Sequence, residues 1–258
     1  GFGQQFLVVG GIATIVFGTL GVLSSRTMSR IGGYCVIVSA GTILAVVGAG
    51  GEAALAGGLY YLISSTLGAS AFFLLIELLN RARGSTSAAI LPPVFTDEFR
   101  DPYDDGTETD EVGVLIPASI GLISGGYILC ALLLAGLPPL SGFIGKFAVM
   151  TGVMSSAEPA SGMAWTLIAA LTLSSFAMLI AFARAGVEVL WAQGERPTPR
   201  VKAVELIAIG VLLAAALALS IEGGLAMRFV RSTSVWLHAP MDYVAAVLSP
   251  ATPLGGAQ

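Results

Sequence analysis

The chain has 258 residues, 55% of them hydrophobic and only 11% charged, with a net charge of -4 and a mean hydropathy of +0.88. An ordinary soluble domain carries about 25% charged residues, and so few charges could not cover a water-facing surface of this size. This excludes a cytosolic globular enzyme, a disordered chain and a nucleic-acid binder, and it makes the lipid bilayer the solvent for most of the protein.

A spanning helix needs about 20 predominantly apolar residues. In chain order, the candidates are Phe6–Ser24, Gly32–Ala49, Ala53–Leu79, a long run Val114–Gly152, Trp165–Leu190 and Ala203–Leu219. The run from Val114 to Gly152 would make about 58 Å of helix, against a hydrocarbon core of about 30 Å. Gly136-Leu-Pro-Pro-Leu-Ser-Gly142 interrupts it. Pro138 and Pro139 remove two backbone donors and push the residue before each out of the α region. The run is therefore two crossings or one discontinuous crossing. Loop charge separates the two. With one broken crossing, Arg26 and Arg30, Arg81, Arg83 and Arg100, and Arg196, Arg200 and Lys202 share one side, while Gly48–Glu52 and Ser155–Ser161 carry no Lys or Arg. The positive-inside rule then predicts one broken crossing with the basic loops cytoplasmic.

The predicted architecture is all-α: a polytopic membrane helix bundle of about six transmembrane helices, one of them discontinuous. It comprises a membrane domain 1–221, an acidic cytoplasmic loop within 84–113 and an interfacial tail 222–258. The loop holds eight acids and one base between Asp97 and Glu111, a composition that resists folding into a core. In the tail, Arg228, Arg231, Trp236, His238 and Tyr243 punctuate short apolar stretches, as suits the headgroup level. The chain starts at Gly1 without Met and without a signal-peptide n-region. It reads as the C-terminal part of a longer protein.

Lys146 is the foremost candidate for chemistry. A lysine at the bilayer centre costs about 2.5–3.5 kcal/mol on insertion scales. This one follows the helix break, where free backbone groups at membrane depth can serve an ion. Desolvation makes a lysine able to exchange protons near neutral pH. A lysine snorkelling from a helix end is the alternative. Glu77 stands four residues before Arg81, so it is either a helix-end pair or a proton-entry carboxylate. Ser64, Ser65 and Thr66 give interhelical hydrogen bonds or line a hydrated path. Arg184 and Glu188 read as an i, i+4 pair. Gly121 and Gly125 have the spacing of close helix packing. Cys35 and Cys130 read as small buried hydrophobes. No cofactor or metal is expected, since nothing has the form of a nucleotide loop, a catalytic triad, a metal cluster or a haem site.

The stretch Ala135-Gly-Leu-Pro-Pro-Leu-Ser-Gly-Phe-Ile-Gly-Lys-Phe-Ala148 resembles the signature of the antiporter-like membrane subunits shared by respiratory complex I and the multisubunit Mrp-type sodium/proton antiporters. Tyr60–Leu78, Arg30–Thr42, Val114–Ala118, Ala183–Gly186 with Trp191, and Asp242–Leu248 look like the D subunit of Mrp antiporters in its proteobacterial form. The resemblance implies half of a 14-helix fold, helices nine to fourteen, with Lys146 as the proton carrier of the broken twelfth helix. The break itself, Gly136, Pro138, Pro139, Ser141 and Gly142, falls within the signature. It further implies H+ and Na+ as transported ions, other membrane subunits as partners, and a multi-pass location in a bacterial inner membrane. A proton-pumping subunit of complex I or of a membrane-bound hydrogenase is the alternative. Many relatives carry His and Lys in the eleventh helix, where this chain has only Ser64, Ser65 and Thr66. The family's Glu of the fifth helix and basic groups of the seventh and eighth would lie before Gly1.

Overall fold

The structure is a computed structural model that describes residues 2–89, 118–156, 162–190, 203–238 and 247–248. The acidic segment Asp97–Glu111, the Arg196–Lys202 cluster, Tyr243 and the side chain of Glu188 lie outside the described residues. Eight helices follow in order among those described: α1 (Phe2–Ser24), α2 (Met28–Ala49), α3 (Glu52–Ala89), α4 (Ala118–Ala135), α5 (Ser141–Ser156), α6 (Gly162–Leu190), α7 (Ala203–Ile221) and α8 (Gly223–His238). Among the described residues no strand interrupts them. The protein is an all-α, multi-pass membrane bundle.

Four helices, α1, α2, α3 and α6, are each long and apolar enough to cross a bilayer. The first two form a hairpin whose backbones nearly touch. A Cβ on Gly41 would come within 2.9 Å of Gly11 O and Ile15 N, and one on Gly48 within 2.6 Å of Val8 N. Small residues allow such approach where lipid offers helices no hydrophobic drive to associate. The hairpin leaves Phe6, Phe17 and Leu20 on its outer side.

Hydropathy ends the third span at Leu79, but α3 continues to Ala89. Asn80, Arg81 and Arg83 end the apolar run, not the helix. A helix can leave the membrane and keep its own hydrogen bonds in water, so hydropathy marks the bilayer and not the helix end.

Packing against α3 shows how α4 and α5 cross. Gly152 abuts Ala53 and Ala54, Ala148 and Val149 abut Gly57, and Gly145 abuts Tyr61. Ser141 bonds Ser64, Leu133 and Leu134 reach Gly68, and Gly126 meets Leu75. The partners descend steadily along one unbroken helix. From Ala53 to Leu75, α3 covers about 33 Å, roughly the hydrocarbon thickness. Together α4, the break and α5 thus match the length of one crossing, in keeping with the single discontinuous crossing expected. By length and apolarity alone the described helices give four crossings, or five if α7 and α8 are one bent span.

Of the expected crossings, α7 is the sixth. It runs antiparallel to α3, from the Arg81–Glu205 ion pair at 2.7 Å to the Tyr60 hydroxyl, which donates to Leu219 O at 2.9 Å. The chain then bends by 83° into α8. Ser234 Oγ of α8 donates to Glu52 O at the start of α3 (2.7 Å), while Leu225, Phe229 and Trp236 stay exposed.

Candidate functional site: a buried lysine at a helix break

The break is built by ordinary helix-ending chemistry. Leu137 N donates to Leu132 O (3.1 Å) and Gly136 N to Leu133 O (3.2 Å), the paired bonds of a Schellman cap. Such a cap needs a left-handed residue, and Gly136 has φ +73. The peptide between Pro138 and Pro139 is cis. Leu140 N then donates to Leu137 O, and α5 starts at Ser141. Gly142 is needed for space, since a Cβ there would overlap the Leu133 carbonyl oxygen.

The cap leaves the Ala135 carbonyl without a helical partner, and Lys146 supplies one. Its Nζ donates to Ala135 O at 3.1 Å and to Ser175 Oγ of α6 at 2.9 Å. The residue is only 3% exposed. Its stem lies over Gly136, where a Cβ would sit 2.9 Å from Cδ and 3.3 Å from Nζ. The ammonium thus stays inside the bundle at the C-terminal end of α4, whose aligned peptide dipoles favour a cation. It does not reach for the membrane surface.

A second polar cluster lies on the other side of α5. Ser141 N, one of the free donors at the start of α5, donates to Ser220 Oγ of α7 at 2.7 Å. Ser64 Oγ donates to Ser141 Oγ at 2.8 Å, and Ser220 Oγ donates to Ala216 O at 3.0 Å. Ser141 and Lys146 are separated by about 140° around the helix. The hydroxyls therefore tie α3, α5 and α7 together at the break, and they do not touch the lysine.

The structure brings Ser64 alone of its trio into this cluster. Ser65 and Thr66 bond back to Leu62 O and face outward. Successive helical residues are turned by about 100°, so three in a row cannot line one path. A Cβ added at Gly121 or Gly125 would meet nothing within 4 Å among the described residues. The buried stripe of α4 is Ile123, Tyr127, Cys130 and Leu134, which puts Gly126 on the packed side and the other two glycines on the outside. Arg184 donates to Leu23 O at 3.0 Å and to Ser25 O, satisfying carbonyls at the end of α1. Glu77 Oε1 accepts from Arg81 Nε at 2.8 Å, in a pair that Glu205 extends to α7. Cys35 and Cys130 are free and buried. His238 is exposed near the end of α8, its Nδ1 3.0 Å from Ser234 O.

Ser175 is the side chain of the site that sequence reasoning passed over. The available signal was Ser174-Ser175, two hydroxyls near the middle of an apolar span. A cavity of about 200 Å³ opens near the start of α1, with Gln4, Gln5 and Met163 in its lining, but neither Lys146 nor Ser175 lines it.

The site is thus a buried lysine held at a helix break inside a membrane bundle, and comparison with known proteins gives the chain a family. Residues 1–176 match the family described as "NADH:quinone oxidoreductase/Mrp antiporter, TM", and the chain belongs to it. It is 46% identical to a Rhizobium meliloti (strain 1021) protein named as the D subunit of a probable K(+)/H(+) antiporter, over 100% of this chain and 48% of that one. It is 29% identical to the D subunit of the Na(+)/H(+) antiporter of Bacillus subtilis (strain 168), over 96% of this chain and 45% of the relative. The fold matches a chain in the structure of the Mrp complex from Dietzia sp. DQ12-45-1b with a TM-score of 0.67 at 18% identity, covering 95% of this chain and 49% of the other. The chain spans about half the length of the curated relatives it matches.

Proposed function

We propose that the chain is the C-terminal part of the D subunit of a multisubunit cation/proton antiporter in a bacterial inner membrane, and that Lys146 carries its proton. The observation behind this is the buried ammonium at the α4–α5 break. When Lys146 releases a proton, the electron pair stays on nitrogen, and the charge beside the α4 terminus disappears. Return of a proton restores it. That change of charge at mid-membrane is what a cation moving the other way can be coupled to.

The relatives' names divide between K+ and Na+, so the exchanged ion is proposed as a monovalent alkali cation, with Na+ the ion first expected. The partners are the other membrane subunits of such a complex. The assembled complex, in inverted vesicles from cells without other exchangers, should exchange cation for proton when a pH gradient is imposed. Absence of exchange, together with co-purifying cofactor-bearing redox chains, would favour the second reading, a proton-pumping subunit of a redox complex. The family's shared description supports that reading.

The basic loops are proposed to be cytoplasmic, with α8 at the opposite membrane surface. Cysteines introduced near Ser156 and near Arg200 should therefore label from opposite sides; labelling from one side would refute this topology. Glu77 is also a candidate for proton entry. Its geometry favours the ion pair with Arg81, and exposed pairs contribute little. Glu77→Gln should therefore assemble and exchange within about twofold of wild type. A loss beyond tenfold in the vesicle assay would give Glu77 a place in the proton path.

A further inference from the structure

We infer that Ser175 is a positioning residue for proton transfer, a hydroxyl that can bond Lys146 in both of its protonation states. This rests on the proposed role of Lys146 and deepens it. An ammonium has three donors and no acceptor, whereas a neutral amine has two donors and one lone pair. The Ala135 carbonyl can only accept, so it serves the lysine only through N–H donors. A hydroxyl both donates and accepts.

The geometry fits both roles. With Lys146 charged, Ser175 Oγ accepts from Nζ at 2.9 Å and points its own hydrogen at Leu171 O, 3.1 Å away. When Lys146 gives up a proton to a water molecule, which carries it away as hydronium, one N–H bond breaks and its electron pair remains on Nζ. The Ser175 hydrogen can then rotate from Leu171 O to that lone pair. Ser175 keeps its proton throughout, and no heavy atom needs to move. Leu171 O keeps a hydroxyl partner, because Ser174 Oγ also donates to it at 2.7 Å. The rotation therefore strands no buried group, the condition that makes such a switch cheap.

No other side chain among the described residues bonds the Lys146 ammonium. Among the described residues, the Cys35 thiol of α2 lies within electrostatic reach of Lys146, while the Tyr61 hydroxyl of α3 is 3.1 Å from Ser39 Oγ. On α4, Cys130 is buried and the Tyr127 hydroxyl donates to Phe182 O. From α6, Arg184 is engaged with the carbonyls at the end of α1. None of these is a carboxylate, so the hydroxyl is the group that answers directly to the lysine's charge.

Bonds to a charged group are worth more than bonds to a neutral one. Removing the hydroxyl therefore penalises the ammonium more than the amine. In the assembled complex, Ser175→Ala should move the midpoint of the pH–rate profile for exchange about one pH unit lower. Ser175→Thr keeps the hydroxyl and should restore the wild-type midpoint. Thr172→Ala, which removes an exposed hydroxyl of the same helix that bonds only Ile168 O, should leave it in place. If Ser175→Ala does not assemble, the nearly isosteric Ser175→Cys carries the same test with the same expected direction. An unmoved midpoint in the hydroxyl-free variant, or equal shifts for Ala and Thr, would overturn the assignment. If Lys146→Ala has lost exchange while Ser175→Ala keeps the wild-type profile, this inference alone falls. If Lys146→Ala exchanges normally, the parent reading falls with it.

Discussion

Lys146→Ala should leave the complex assembled and slow cation/proton exchange by about 100-fold or more, the scale on which a positioned proton-transfer group acts. Assembly should survive because little depends on the ammonium for packing. It bonds the Ala135 carbonyl and the Ser175 hydroxyl, and Ser175 retains Leu171 O. The change removes a buried charge along with its desolvation cost but leaves Ala135 O without its partner, a loss of about 1–3 kcal/mol that a multi-helix bundle can absorb. The lost rate follows from the site, since no other charged side chain among the described residues sits within the break. Exchange in vesicles, with subunit content measured in the same preparation, reads both outcomes.

The second large effect is on the fold of the break. Gly142→Ala places a methyl group on the Leu133 carbonyl oxygen, a backbone atom that cannot rotate away. Either α4 or α5 must shift, and overpacking of this kind costs about 1–3 kcal/mol. The shift reaches the chemistry, because Leu133 and Ala135 belong to the same capped turn and Ala135 O holds Lys146. The variant should lose thermal stability in detergent and lose exchange in parallel. Gly121→Ala and Gly125→Ala, on the outer side of α4, meet nothing among the described residues and should match wild type. Equal stability for all three would mean that α4 and α5 are not packed as described.

Much of this was legible because membranes simplify the physics. Apolar length marked the helices long enough to cross. The double proline with Gly136 and Gly142 located the break, and the cost of a charge at membrane depth, next to that break, singled out Lys146. What stayed hidden depends on rotation about helix axes. The trio Ser64, Ser65 and Thr66 looks uniform in sequence, yet only Ser64 turns toward Ser141. The spacing of Gly121 and Gly125 suits packing, but the buried stripe through Tyr127 and Cys130 turns them outward. Ser175 becomes meaningful only once α6 is laid against the break, a contact far apart in sequence. The end of α3 escapes a hydropathy reading, because hydropathy reports the bilayer and says nothing of the helix beyond it.

The central claim is that Lys146 loses and regains a proton in each cycle, which is more than a need for positive charge. Lys146→Arg separates the two, since a guanidinium keeps its charge at every working pH. The measurement is pH-gradient-driven cation exchange by the assembled Lys146→Arg complex in vesicles, followed across pH. The account predicts a correctly assembled complex with exchange as low as that of Lys146→Ala at every pH. Exchange near the wild-type rate would show that a fixed charge suffices and would contradict proton transfer through this residue.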